Sequence, residues 1–339
     1  MKRRVFRLPL AAAISIIAMA LSGAGSTASA SAPPGTGLRN FDHVFVIMME
    51  NTGYDALIGN ANAPWINSAA AQFNVAGHYF GVSHPSQPNY VAATSGALNG
   101  VVNDNDITID VPNIVDQVEG SGRTWKAYMQ SLSLCNGNLL AHACGNQLYE
   151  RKHNPFVSYQ DVQTNTARMA NIVDLSQLST DLASGSVANY VWISPDQCND
   201  MHGRAAPATD PCNFGDVQGL ISTGDSFLSN TVGMIMSSSA WTANSVIFVT
   251  WDESDFTGSG DFGFGDDSGC CDSVPNHGGG HVLTLVITHS DHASRTSGLA
   301  YNHFSMLATI QQAWQLGCLA NTCDKANVRA MNDLVGARG

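Results

Sequence analysis

Apolar residues along the chain collect in short, nearly continuous runs at residues 43–49 (HVFVIMM), 189–195 (NYVWISP), 246–250 (VIFVT) and 282–288 (VLTLVIT). Runs of this length without polar alternation predict strands buried on both faces. Other segments carry helical spacing. Residues 63–73, 114–120, 171–185 and 216–240 predict helices, with Pro64 near the start of the first and Asp225 read into the first turn of the last. Residues 301–317 place Phe304, Leu307, Ile310 and Trp314 on one face of a further helix. Residues 124–132 fit a strand or a helix equally well. Pro85 and Pro88 argue against a regular helix through HPSQPNY, so the helix there is expected in YVAATS, stopped by Gly96. Strand and helix segments alternate, which predicts an α/β fold: a mostly parallel central sheet with helices on both faces. No repeat or heptad pattern interrupts it.

The N-terminus stands apart. Lys2, Arg3, Arg4 and Arg7 precede LPLAAAISIIAMAL, then the small residues SGAGSTASA. This is the pattern of a secretory signal peptide over residues 1–30, cleaved near Ala30 or Ala32. The apolar stretch is short for a spanning helix, so no stable membrane anchor is expected. Residues 31–339 then form one domain, with an insertion around 133–163, where apolar runs are few. The net charge of the chain is −12; without the first 30 residues, 11 Lys+Arg face 27 Asp+Glu, or −16. An acidic surface of this kind excludes nucleic acid as an expected partner and disfavours anionic lipid surfaces. Eight cysteines, all beyond residue 30, suggest disulfides in an exported protein. Sequence neighbours suggest Cys135–Cys144, Cys198–Cys212 and Cys318–Cys323, leaving Cys270 and Cys271 for a vicinal bond; no paired C-x-x-C hooks point to zinc instead.

Chemistry enters at the strand ends. The first apolar run stops at Glu50 and Asn51, and the run before residue 252 stops at Asp252 and Glu253. In open α/β sheets, ligands bind beyond the carboxyl ends of strands. Oxygen donors there suit a divalent cation, of which Ca, Zn, Mn and Fe are all compatible. Ser86 is a candidate nucleophile outside any G-x-S-x-G elbow, at or just before a helix N-terminus whose free N–H groups suit an anion. A serine hydroxyl needs a base or a metal to activate it. His84, His202, His277 and His281 are further candidates for phosphoryl or proton contacts, with the glycines of NHGGGH free to bring backbone close to a ligand. Asn89 is either an amide donor to a phosphoryl oxygen or a turn residue after Pro88. Neither a GxGxxG fingerprint nor a Walker motif accompanies the strands.

The ordered blocks MMENTGYD, HPSQPNYVAATSG, SPDQCNDMHG and TWDESD, followed by NHGGGHV and YNHFSML, cover residues 41–315. Together they resemble the phosphoesterase family of bacterial acid phosphatases and non-toxin-type phospholipases C, within the alkaline phosphatase superfamily. The resemblance implies an alkaline phosphatase-like fold and a metal held by Glu50, Asn51, Asp252 and Glu253 with Ser86. It also implies Ser86 as nucleophile and His202 as the group that stabilises phosphate or protonates the leaving alcohol. Asn89, His84, Asp200 and His277 fall to substrate binding, with His84 also a support for the ligands and Asp196 in the same block as Asp200. Thr52, Gly53 and Tyr54 depart from the E-N-R-S-F-D form common in the phospholipases, which favours phosphate monoesters over phospholipid diesters. A small phosphorylated metabolite or a phospholipid is the expected substrate. A non-catalytic binding protein on a hydrolase scaffold is the alternative if the ligand residues do not converge.

Overall fold

The computed structural model describes Met1 and residues 39–255, 265–271, 278–289 and 294–336. Its strands are β1 (His43–Met49), β2 (Asn74–Phe80), β3 (Trp125–Met129), β4 (Ala143–Cys144), β5 (Tyr149–Glu150), β6 (Ile172–Asp174), β7 (Tyr190–Ser194), β8 (Ser245–Trp251), β9 (His281–Thr288) and β10 (Thr296–Asn302). Eight of them form one sheet in the order β10-β2-β9-β8-β1-β7-β3-β6, while β4 and β5 pair separately. Within the sheet β9 runs against both of its neighbours and every other pairing is parallel. The mostly parallel α/β sheet expected from the apolar runs is therefore the fold. All residues of β7 and β8, and all but the first of β1, are buried, so this centre is covered on both faces.

Register delivers the strand ends to one place. Met49 lies opposite Trp251 in the β1–β8 ladder, so Glu50 and Asp252 leave the sheet at the same level. On the other side, Ile47 of β1 lies opposite Ile193 of β7, which sends the loop after β7 to the same edge.

Several local expectations change. The helix in the serine block spans Ser86–Ser95, starting four residues before YVAATS, because Pro88 occupies the first turn, where its missing N–H has no intrahelical partner to lose. Residues 124–132 resolve as β3. The helix expected over 171–185 divides into edge strand β6 and a shorter helix, Gln177–Ser184, ended by Gly185 at φ 70°. The helix after residue 216 runs Val217–Met236, so Asp225 lies well beyond its first turn. Its carboxylate instead accepts from the N–H groups of Trp65 and Ile66 at 3.1 and 2.8 Å, capping the helix Pro64–Gln72 from outside. Residues 301 and 302 finish β10, and the helix there is His303–Ala313. All eight cysteines are bridged, in the pairs suggested by their spacing and with Cys270–Cys271 vicinal.

The helix Gln177–Ser184 is fastened to β3 by one carboxylate. Asp181 accepts from Lys126 Nζ at 2.6 Å, Tyr128 hydroxyl at 2.7 Å and Gln177 Nε2 at 2.9 Å. Burial raises its pKa, but these donors outweigh burial and hold it below the usual carboxylate range. A depressed folded-state pKa gives stability that is present above the unfolded value of about 3.9 and lost as pH falls through the folded one. Asp181→Asn should therefore lose about 1–3 kcal/mol in urea unfolding at pH 7. Its deficit relative to the unsubstituted protein should shrink as pH falls below about 4.

Candidate active site

The serine hydroxyl lies between the two strand ends. Ser86 Oγ is 3.0 Å from Glu50 Oε2 and 3.1 Å from Glu253 Oε1. Asn51 links the pairs: its backbone N–H donates to Asp252 Oδ1 at 3.1 Å and its Nδ2 to Glu253 Oε1 at 3.0 Å. Asn51 does this at φ 34°, in the left-handed region that Asn tolerates better than most residues. Glu50, Ser86, Asp252 and Glu253 are all buried. Burial first, and then the neighbouring carboxylates, push Glu50 and Asp252 well above the usual carboxylate range; burial raises Glu253 as well.

These are the oxygen donors a divalent cation would take. Among the described residues no three or more His, Cys, Asp or Glu side chains are closed up as a cation cage. Their oxygens are directed to protein donors: Glu50 receives Tyr90 hydroxyl at 2.5 Å and Ser86, and Glu253 receives His84, Asn51 and Ser86. Yet Asn51 Oδ1 and Asp252 Oδ2 are buried without hydrogen-bond partners, as is Asp200 Oδ2. Orphaned acceptors beside crowded carboxylates fit a bound cation, which satisfies the lone pairs and offsets the repulsion together.

The other residues singled out in the sequence divide into those that face the centre and those that build it. His202 faces it. Its Nδ1 is 2.7 Å from the Gly203 carbonyl, which can only accept, so Nδ1 carries the proton and Nε2 is bare. Burial, then the Lys152 charge, lowers its pKa to about 4, leaving it neutral near pH 7. Asp200 accepts from the His202 backbone N–H at 2.8 Å and its carbonyl receives Glu50 N–H at 2.9 Å, so it ties the loop after β7 to the end of β1. Asp196 is taken up by Ser131 and by the Cys198–Asn199 turn.

His84 and Asn89 hold the serine loop. One ring nitrogen of His84 meets Glu253 and the other is 3.0 Å from the Asp266 carbonyl. Asn89 Oδ1 accepts from the N–H groups of Val82 and Ser83, and its Nδ2 donates to the Ser83 and Pro85 carbonyls. Its amide is fully engaged in the turn, the second of the two uses open to it from sequence. The glycines of NHGGGH pack closely against protein backbone. Gly279 N–H donates to Gly81 at 2.9 Å and its carbonyl receives Ser254 N–H, and a Cβ on Gly279 would meet Ser83 O at 2.6 Å. His281 stacks on Tyr54 with centroids 4.5 Å apart. His277 lies outside the described residues.

Three further residues stand at the centre outside the sequence motifs named above. Tyr90 is one turn beyond Ser86 on the same helix and donates to Glu50. His153 stacks on Tyr90 with centroids 5.4 Å apart, its Nε2 3.2 Å from Glu50 Oε1 but outside hydrogen-bonding geometry, and burial drives its pKa well down. Lys152 bonds Asp104 at 2.9 Å, and Asp104 also receives Gln87 N–H at the start of the serine helix. Burial opposes the Lys152 charge, but Asp104 and Glu50 more than offset it and keep the ammonium protonated. The signal available was Arg-Lys-His at residues 151–153, a basic run in an acidic chain.

A serine held between two acidic strand ends of an α/β sheet is a hydrolase-like arrangement, and the chain's relatives agree with it. A model of the Phosphoesterase family matches residues 60–317, and the chain belongs to that family. It is 26% identical over 298 residues to a probable acid phosphatase of Kluyveromyces lactis, covering 85% of this chain and 62% of that one. It is 29% identical over 221 residues to a phosphatidylinositol-3-phosphatase of Mycobacterium tuberculosis, covering 64% of this chain and 65% of the other. The chain thus spans a little under two thirds of the length of these relatives. Solved structures with the same fold include a protein in the alkaline phosphatase superfamily from Vibrio parahaemolyticus, at TM-score 0.52 and 13% identity, covering 90% of this chain and 71% of that one. A phosphonate monoester hydrolase from Silicibacter pomeroyi reaches TM-score 0.55 at 13% identity, covering 88% and 77%. At such identities the likeness is one of fold.

If Asn89 is a loop holder, Asn89→Ala should lower unfolding stability by about 2–4 kcal/mol, since several buried backbone groups lose their partners together. Chemical denaturation checks this; an Asn89→Ala protein as stable as the parent but weaker for phosphate would return the residue to substrate binding.

Proposed function

We propose that this protein is a secreted, metal-dependent phosphoesterase that hydrolyses phosphate monoesters through a phosphoserine intermediate on Ser86. The observation that carries the reading is Ser86 Oγ within 3.1 Å of a carboxylate from each strand end. Support for phosphate esters comes from the family and from relatives named as acid phosphatases, and support for export from the basic, apolar and small-residue N-terminal pattern. The bridged cysteines suit an oxidising compartment. Among the described residues no helix is long and apolar enough to cross a membrane. The same proposal makes residues 31–339 one catalytic domain, with 133–163 its insertion.

Glu50, Asn51, Asp252 and Glu253, with Ser86, would hold the cation. Bound there, a divalent cation supplies the positive charge that stabilises an ionised serine and the phosphoryl oxygens. Ser86 Oγ forms a bond to phosphorus as the ester P–O bond breaks; its proton passes to Glu50 or Glu253 and on to the departing alkoxide, which leaves as the alcohol. Lys152 places a fixed positive charge on the same side of the molecule, which suits the second negative charge of a monoester. Bare Nε2 of His202 can take a proton from the water that cleaves phosphoserine; phosphate leaves with the water's hydroxyl, and the proton returns to Ser86 Oγ. Phosphodiester cleavage of phospholipids uses the same centre and is the second reading.

Ser86→Ala should fold and lose on the order of a thousandfold or more in p-nitrophenyl phosphate hydrolysis. A folded Ser86→Ala protein with unchanged turnover ends the phosphoserine scheme. Adding a divalent cation at about a hundred times its Kd to chelator-treated protein should raise Tm by about 5–10 °C. Asp252→Asn should remove that rise while melting no lower than the parent in chelator, because it relieves carboxylate repulsion. A cation response that Asp252→Asn leaves intact places the metal elsewhere.

A further inference from the structure

A cavity of about 340 Å³ opens beside the centre and shares two of its residues, Asn51 and His202. Met201, Phe214, Val217 and Leu220 supply its apolar wall. Phe214 is 59% exposed and Val217 46%, in a chain that buries most of its large apolar side chains. Exposed apolar residues lining a concavity are the usual mark of a surface kept for a ligand. Among the described residues no Lys or Arg lines the cavity, and Asp255 is the charged member of that lining. Asn51, Thr52, His202 and Asp255 are the polar part of that lining, so a second phosphate meets a carboxylate, and the hydroxyls of a sugar laid against the apolar wall find no partners there.

The wall is built in place. Cys198–Cys212 closes the loop that carries Met201 and His202 and ends two residues before Phe214. Asp216 caps the helix Val217–Met236 by accepting from Gly219 N–H at 3.0 Å, which fixes Val217 and Leu220 at its first turn. Met201, at φ 84°, and Gly203, at φ 74°, turn the chain sharply on either side of His202. Reactive group and apolar wall are thus presented by one braced segment.

Resting on the phosphoesterase reading above, we infer that this cavity receives the alcohol portion of the substrate, and that the alcohol is apolar and uncharged. The enzyme then selects phosphate monoesters of alkyl or aryl alcohols over sugar phosphates, nucleotides and compounds with a second phosphate. Hydrolysis breaks the ester P–O bond and releases the apolar alcohol from the cavity, with water supplying its proton and the hydroxyl of inorganic phosphate.

The test is kcat/KM for the purified protein on n-alkyl phosphates from ethyl to octyl, below their micelle concentrations, with glycerol 2-phosphate alongside. Burial of methylenes predicts a rise of about two- to fourfold for each carbon added until the cavity is filled. Phe214→Ser, a change at an exposed position that the fold does not need, should flatten the slope and lower the octyl-to-ethyl ratio at least about fivefold. Leu299→Ser, an exposed apolar residue on β10 away from the cavity lining, should keep the parent slope. A flat series with ethyl phosphate still hydrolysed by Ser86 overturns the cavity assignment and leaves the phosphoesterase reading standing. A parental slope in Phe214→Ser overturns it too. No turnover of any ester overturns both.

Discussion

Burying several carboxylates around one hydroxyl is the constraint on which the rest of the structure depends. Glu50, Asp252 and Glu253 are fully buried, and two of them reach the same serine oxygen. Like charges at such separations in a poorly solvated site repel by several kcal/mol, and each also loses its hydration. A flexible loop would relax by exposing them. Here they leave adjacent parallel strands in fixed register, Met49 opposite Trp251, and the Asp252 N–H is itself bonded to the Met49 carbonyl at 3.0 Å. The most buried part of the sheet thus holds the carboxylates where the electrostatics alone would separate them. Raised proton affinities at Glu50 and Asp252 are the electrostatic expression of that strain.

The surroundings offset part of the repulsion with groups from distant segments. Tyr90 and His84 donate to Glu50 and Glu253 from the two ends of the serine block. Lys152 and His153 come from the segment between Leu132 and Gln163, whose backbone is drawn in by Arg151 bonding the carbonyls of Ile107 and Val157. Of these only Lys152 brings a permanent positive charge, and it is already partnered by Asp104. The centre therefore retains more negative than positive charge, which is why its orphaned oxygens at Asn51 and Asp252 matter: they are what a cation, rather than another side chain, would complete.

The parts legible in the sequence were those with one dominant local cause. β1, β7, β8 and β9 are continuous apolar runs, and carboxylates directly after two of them mark those strand ends as a polar site. β2 and β10 carry no such run: Asn74–Phe80 mixes buried and exposed positions around Gly77 and His78, and Thr296–Asn302 is a largely exposed edge strand containing Gly298. Residues 171–185 read as one helix because Ile172–Asp174 is too short for strand alternation to register, and its strand state comes from pairing with β3. Asn89 was ambiguous for a physical reason: an amide suits a phosphoryl oxygen and a tight turn equally, and only coordinates show where its hydrogen bonds go. His153 and Lys152 give no such signal, because their role is set by where the segment between Leu132 and Gln163 docks, which no periodicity records.

The division of labour at the sheet edge follows from the same connectivity. The carboxylates belong to β1 and β8, where substitutions disturb a sheet buried on both faces and are poorly tolerated. The cavity wall belongs to the loop and helix start after β7, where Phe214 and Val217 are exposed and their replacement disturbs little packing. Loops on a rigid scaffold accept such changes while the scaffold keeps the reacting groups in place. Both meet at Asn51 and His202, which line the cavity and the centre alike. A change of wall residues between about 203 and 217 would therefore alter which alcohol is accommodated without altering the charge around Ser86. An apolar wall also has an electrostatic consequence: with an apolar group seated there, water is displaced from beside His202, and the field of the carboxylate cluster and its counter-charge acts at a lower local dielectric. Substrate choice and the strength of the centre are then coupled through the same displaced water.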